Sequence, residues 1–216
     1  MNEPHIKVGI LSAPRIDIDL IGDFITADGN TVTGAQSLAV TDGGRIVWQD
    51  QEFDTIEFRP KTPRDIFEIK DVVIGVNFHW ERKENQRFSG SASFIVEGDK
   101  LTIINVLPVE DYLLSVISSE MSAHASLELL KAHAVISRSW LLAQIQKNKA
   151  IAESGTKYNA CTETADERIK WYDREDHINF DVCADDHCQR YQGVTRQSTP
   201  KVAEAIAATR GQVLVY

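Results

Sequence analysis

The run V-L-P-V-E-D-Y-L-L-S-V-I-S-S-E-M at Val106–Met121 decides how the chain is read, together with S-L-E-L-L-K-A-H-A-V-I-S-R-S-W-L-L at Ser126–Leu142. Pro108 suits the first turn of a helix, and Glu110 and Asp111 suit its positive N-terminal end. The pattern predicts a short helix ending near Met121. Ser122 or Ser126 caps a second helix, with Glu128 in its first turn. Leu127, Leu130, Ala134 and Leu141 recur there at helical spacing, and Val135, Ile136, Trp140 and Leu142 fill much of the remaining circumference. Such a helix is expected to be buried on all sides, with Lys131, His133 and Arg138 as its exceptions. Arg138 is either a buried partner of a carboxylate or a side chain whose stem snorkels to water. Glu120 is a lone acid at the C-terminal end of the first helix, where the helix dipole disfavours it by some tenths of a kcal/mol. A cap or a surface ion pair is the plain explanation; chemistry is the other.

Upstream the period changes from helical to alternating. Residues 6–11 and 16–21 read as half-buried strands. Turn signals at Asp28-Gly29-Asn30, Asp42-Gly43-Gly44 and Glu97-Gly98-Asp99 separate β-prone segments. They predict hairpins, among them Ser37–Thr41 with Arg45–Gln49 and Ser93–Val96 with Leu101–Asn105. Pro60 and Pro63 mark a loop. Val72–Trp80 alternates again, and Glu84-Asn85 is expected to turn it into Arg87–Ser91. Downstream, residues 144–176 read as a long polar loop holding Cys161 as an unpaired thiol. Lys201–Thr209 reads as a short helix, and Gln212–Tyr216 as a closing strand. The expected class is α+β: an antiparallel β-rich half, residues 1–105, then a mainly helical region, residues 106–216, with a C-terminal strand.

Composition narrows the function. With 23 Lys and Arg against 32 Asp and Glu, the formal net charge is −9. That disfavours nucleic acid, whose phosphates call for a basic surplus. No apolar run approaches the roughly 18 residues of a membrane span. The N-terminus, Met1-Asn-Glu-Pro-His, lacks the basic-then-apolar pattern of a signal peptide, so the expectation is an intracellular protein or a trimmed chain.

A second cluster stands out. His177, Cys183, His187 and Cys188 fall at H-x5-C-x3-H-C in a chain with three Cys and six His. Two thiolates and two imidazoles are a ligand set that closes a tetrahedral zinc site. The spacing matches no common zinc finger, and adjacent His187 and Cys188 need irregular backbone to reach one ion. Thiols with surface histidines, a Cys183–Cys188 disulfide, or a Cys188 nucleophile with His177 or His187 as base are the alternatives.

These segments together resemble the stage II sporulation protein D (SpoIID) family. Its Y-L-x-G-V-V-x-x-E-M run corresponds to Tyr112–Met121, and its A-L-K-A-Q-A-V-A-A-R-T-Y-A run to the helix around Lys131–Leu141. C-Q-R-Y-Q-G at Cys188–Gly193 is similar to its C-Q-x-Y-x-G, and Ala205–Tyr216 to its A-V-x-A-T-x-G-x-V-L-x-Y. The resemblance implies a lytic transglycosylase that cleaves the MurNAc–GlcNAc bond of peptidoglycan glycan strands, preferably denuded ones, leaving 1,6-anhydro-MurNAc ends. The catalytic acid is then Glu120, with Ser119, Arg138, Gln189 and Tyr191 as substrate-binding residues. His177, Cys183, His187 and Cys188 become ligands of a structural Zn2+, as in some relatives. A single acid suffices because the substrate's own 6-hydroxyl is the nucleophile. An acid that starts protonated is helped by apolar neighbours, here Val116, Ile117 and Met121. The family also implies the cell envelope as location. Other relatives are non-catalytic wall-binding proteins or enhancers of a cell-wall amidase; a zinc-stabilised interaction module is a further alternative. The chain departs from the family at Ser115 (Gly), Ser122 (Pro), His133 (Gln) and Ser139-Trp140 (Thr-Tyr). Family members run on past the last strand, so truncation at Tyr216 is a further expectation.

Overall fold

Alternating sequence becomes a succession of strands: β1 (His5–Ala13), β2 (Arg15–Ile25), β3 (Thr31–Val40), β4 (Ile46–Trp48), β5 (Gln51–Phe53) and β6 (Ile56–Pro60). Four more follow as β7 (Ile66–Ile74), β8 (Arg82–Ser89), β9 (Ser91–Glu97) and β10 (Lys100–Pro108). In β2, Ile16, Ile18 and Leu20 are buried while Arg15 and Asp17 face out, as a two-residue period requires. The computed structural model describes residues 3–75, 79, 81–121, 125–154, 161–170, 177–196 and 199–215. The hairpins fall where the turn residues predicted them, with Ala39 opposite Val47 and Val96 opposite Leu101.

The second half carries α1 (Val109–Glu120), α2 (Leu127–Ser154), the small hairpin β11 (Cys161–Glu163) with β12 (Arg168–Lys170), then β13 (Val182–Cys183) and α3 (Pro200–Ala208). The fold is mixed α+β. Its main sheet has 11 strands, in the order β13-β1-β10-β9-β6-β2-β3-β4-β5, with β7 and β8 extending from β2. The parallel strand is β13, which lies on the outer edge of β1 with Val8 opposite Val182. β1 therefore sits between β10 and β13, so the first strand of the chain is an interior strand beside the helical half. No helix among the described residues is long and apolar enough to cross a membrane.

Helix α1 follows β10 without a linker, with Pro108 as its N-cap. Two of its first N–H groups are satisfied from the other end of the chain: Val109 N–H donates to the Pro4 carbonyl and Glu110 N–H to Glu3 Oε1. Tyr112, Leu113, Val116 and Ile117 are fully buried, the i, i+4 stripe of a core-facing helix. Ser126 caps α2 by accepting the Leu129 N–H, and Thr199 caps α3 by accepting the Val202 N–H.

Several expectations are corrected. Among its described residues helix α2 buries one stripe, Leu130, Ala134, Ser137, Arg138 and Leu141, whereas Leu129 and Ile136 are 49% and 54% exposed. Only α1 and α3 pack extensively against it, so its outer face meets no layer of the fold among the described residues. It also continues past Gln144 to Ser154, because Gln, Lys, Ala and Glu favour helix without any apolar period. Cys161 lies in β11 rather than in a loop. Glu84 and Asn85 are not a turn: they lie within β8, Val72 pairs with Glu84, and β7 ends at Ile74. Most of the stretch 76–80 lies outside the described residues. Among the described residues, 212–215 pair with no strand; the Gln212 carbonyl accepts from Arg138 and the Leu214 N–H donates to Ser139 Oγ, so this segment is held on α2 instead. Tyr216 lies outside the described residues.

An aromatic column ties the two halves together. Phe24 meets Phe67, Phe67 stacks on Phe88, Phe88 meets Tyr191, and Tyr191 stacks on Tyr112 of α1, at centroid distances of 6.5, 5.3, 5.8 and 5.1 Å. Tyr191 is the link, and its hydroxyl donates to Asn105 Oδ1 at 2.6 Å.

Candidate active site and metal centre

The end of α1 and the segment 188–193 are stitched together residue by residue. Tyr112 donates its hydroxyl hydrogen to Gln189 Oε1, Arg190 N–H donates to Glu120 Oε1 at 3.1 Å, and Gln192 N–H donates to Ser115 Oγ at 3.0 Å. Gly193 is held at φ +57° against β8, where a Cβ would come within 2.1 Å of the Arg87 carbonyl oxygen. The motif around Cys188–Gly193 is therefore a strip of backbone laid along α1, and glycine is what lets it turn away at the end.

Glu120 ends that helix with its side chain 29% exposed, and its second oxygen, Oε2, lies 3.1 Å from Nε2 of His133 on α2. Both carboxylate oxygens thus face N–H groups or ring nitrogens. Val116 and Ile117, expected as apolar neighbours of the acid, are fully buried in the core one turn before it. Ser119 Oγ and His133 Nδ1 are buried beside the pair with no hydrogen-bond partner among the described residues.

The other residues expected to bind substrate lie behind this surface. Arg138 is 1% exposed, Tyr191 2% and Gln189 8%. Arg138 forms a two-pronged ion pair with Glu110, its Nε 2.9 Å from Oε1 and an Nη 2.6 Å from Oε2, and donates to the Gln212 carbonyl. Of its two sequence readings, the buried partner of a carboxylate holds. It fastens α1, α2 and the closing segment to one another. Burial raises the Tyr191 hydroxyl far above its ordinary pKa, and burial first, then nearby negative charge, does the same to Tyr112. Both remain neutral structural donors.

The Cys and His ligand atoms of His177, Cys183, His187 and Cys188 all lie within 4.8 Å of one another. Cys188 Sγ is 3.4 Å from His177 Nε2 and 3.5 Å from His187 Nδ1, and Cys183 Sγ is 3.8 Å from His187 Nδ1. Bonds of about 2.3 Å to sulfur and 2.05 Å to nitrogen give tetrahedral S–N edges of about 3.6 Å, so this set fits an ion at its centre. Cys183 and Cys188 are not joined as a disulfide. The Cys183 thiol is pushed down to about 3, first by the hydrogen bond from Cys188, with His177, the Asp185 backbone and His187 adding to it against the effect of burial. A thiolate between imidazoles is a ligand in waiting.

The surroundings hold this set in place. β13 anchors Cys183 on β1, with Asp181 N–H donating to the Lys7 carbonyl and Ala184 N–H to the Gly9 carbonyl. Phe180 stacks on His177 at 4.6 Å and lies directly over Gly9, where a Cβ would stand 2.6 Å from its ring. The bends through 184–188 supply the irregular backbone that adjacent His187 and Cys188 need. Arg190 closes the loop by pairing through two nitrogens with Asp186 at 2.9 and 3.0 Å. Beside this segment a small open cleft is lined by Val72, Ile74, Gln86, Asp185 and Arg190, so the β-rich half contributes one of its walls.

Three features were not legible as site residues in the sequence. The Arg190 N–H carries no side-chain signal at all. Gly9 and Phe180 are far apart in sequence and ordinary in type. His133 was visible as a polar exception on an apolar helix, but its partner depended on how α1 and α2 pack.

The chain belongs to the SpoIID family: the family profile described as Stage II sporulation protein matches residues 97–216, from the β9–β10 turn to the end. Over 61 residues the chain is 39% identical to an uncharacterized protein of Brachyspira hyodysenteriae, a stretch that is 28% of this chain and 17% of that protein. The chain thus matches less than a fifth of that relative's length. No solved structure matches it.

Proposed function

We propose that the protein is a peptidoglycan lytic transglycosylase acting on denuded glycan strands at the cell wall, with Glu120 as its general acid and base. The observation that carries this reading is the position of Glu120. It occupies the glutamate of the family's E-M pair, ends α1 at the surface, and has its carboxylate fixed from two sides. Glu120 gives a proton to the glycosidic oxygen as the bond to MurNAc C1 breaks. The MurNAc 6-hydroxyl oxygen then bonds to C1, and its proton returns to the carboxylate. No water is consumed, which is why one carboxylate suffices where hydrolysis takes two.

His177, Cys183, His187 and Cys188 hold a zinc ion in this reading, and bound zinc supplies structural cross-linking rather than chemistry. What the chain's own residues do is align Gln189–Gln192 along α1, so that the Arg190 N–H meets Glu120. Incubating the protein with denuded glycan strands and detecting 1,6-anhydro-MurNAc ends by mass spectrometry tests the assignment. Product from wild type and none from a folded Glu120→Gln variant is expected. Equal product from both sinks it, and glycan binding without cleavage by either moves the protein to the wall-binding or amidase-enhancing class.

A further inference from the structure

We propose that His133 is a positioning residue for Glu120, acting as the neutral tautomer that carries its proton on Nε2. This rests on the reading of Glu120 as the catalytic group, and it concerns what holds that carboxylate in its working orientation.

The two ring nitrogens of His133 meet different surroundings. Nε2 lies 3.1 Å from Glu120 Oε2, within hydrogen-bonding distance. Nδ1 is buried and has no hydrogen-bond partner among the described residues. A buried nitrogen that carries a hydrogen without an acceptor loses a full hydrogen bond, whereas a bare lone pair there loses less. The proton therefore sits on Nε2, and the ring donates it to Oε2. At the same time the Arg190 N–H donates to Oε1. One donor on each oxygen fixes both the position and the plane of the carboxylate, which a single donor cannot do.

The supports of the two donors are independent. His133 stands on α2, next to buried Ala134 and one turn before buried Ser137, and its side chain is 19% exposed. Arg190 belongs to the segment that follows Cys188, and its guanidinium is occupied by Asp186. Lys131, the nearest cation along α2, is turned to Glu128 at 2.8 Å, and Lys201 of α3 to the Ala125 carbonyl at 3.2 Å. Neither of these lysines takes the place of His133 on Oε2. A side chain that offers one N–H at similar reach, such as glutamine, can substitute for the imidazole; an apolar one cannot.

Two measurements decide the proposal. In nitrogen-15 NMR of the intact protein, His133 is expected to show the Nε2–H tautomer at neutral pH, with its Nε2 resonance moving in the Glu120→Gln variant. The Nδ1–H tautomer, or a His133 spectrum indifferent to Glu120→Gln, overturns it. On denuded glycan, His133→Leu is expected to lower kcat about 10- to 100-fold with little change in KM, the effect of losing one hydrogen bond to a charged group. His133→Gln is expected to recover most of that loss. Equal activity in all three proteins, or equal loss in Leu and Gln variants, overturns the positioning role. If wild type shows no glycan cleavage, the proposed activity fails by itself, and the NMR result still decides whether His133 orients Glu120.

Discussion

Glu120 Oε1 accepts the backbone N–H of Arg190 at 3.1 Å across 70 positions of sequence. Arg190 lies two residues beyond Cys188, so the carboxylate of α1 and the Cys/His cluster share one short piece of backbone. Whatever fixes the cluster also fixes a donor on the acid.

Shortening the acid tests that contact. Glu120→Asp keeps the charge but withdraws it by one methylene, away from both Arg190 N–H and His133 Nε2. On denuded glycan kcat is expected to fall by at least about 100-fold, the usual cost of a misplaced catalytic group, while thermal stability changes little. Steady-state kinetics beside a melting curve check both parts.

The cluster is expected to bind one zinc ion per chain and to stabilise the fold. Elemental analysis should find the ion, and Cys183→Ser or a strong chelator should remove it. Loss of a tetrahedral cross-link between β13 and the loop through 188 is expected to lower Tm by on the order of 10 °C. A chain that purifies without stoichiometric metal and melts identically with chelator contradicts this.

Gly9 and Phe180 bear on the same centre from outside the ligand set. A Cβ at position 9 would stand 2.6 Å from the Phe180 ring, which itself stacks on His177. Gly9→Ala is expected to push the ring aside, lowering stability by about 1–3 kcal/mol and zinc affinity by about 10-fold or more through the displaced histidine. Adding Phe180→Leu should restore part of the loss. Competition titration with a zinc-binding dye measures the affinity.

Arg138 and Glu110 form a buried pair, so removing one partner strands the other. Arg138→Met is expected to cost about 3–5 kcal/mol, and the double change Glu110→Gln with Arg138→Met considerably less than the sum of the single ones. Urea denaturation of the four proteins in the cycle gives the coupling directly.

Alkali should expose the buried phenols. Burial raises the folded-state pKa of Tyr112 and Tyr191, whereas in the unfolded chain both titrate near 10. The folded state then holds protons that the unfolded state releases. Their contribution to stability is full below about pH 10 and is lost progressively as pH rises above it. Phenolate absorbance should show two of the five tyrosines ionising only together with unfolding.

Sequence alone settled much about this protein. Two-residue alternation and Gly-containing turns were enough to place most strands of the first half, because burial of one sheet face leaves that period in the chain itself. Pro108, the acidic first turn and the apolar stripe were enough to bound α1, since capping and amphipathicity are local. The cluster of His177, Cys183, His187 and Cys188 was legible for the same reason: its chemistry is carried by residue type. What the tertiary structure decided is who faces whom. It turned Arg138 and Tyr191 inward, because a paired guanidinium and a stacked phenol fill the junction of helices and sheet. It exposed one face of α2, because among the described residues α1, α3 and the closing segment pack on its other side. It put β1 between β10 and β13, so that the first strand carries the edge on which Cys183 rests. Above all it brought His133 and the Arg190 N–H to the two oxygens of Glu120, a meeting of three distant segments that no local pattern encodes.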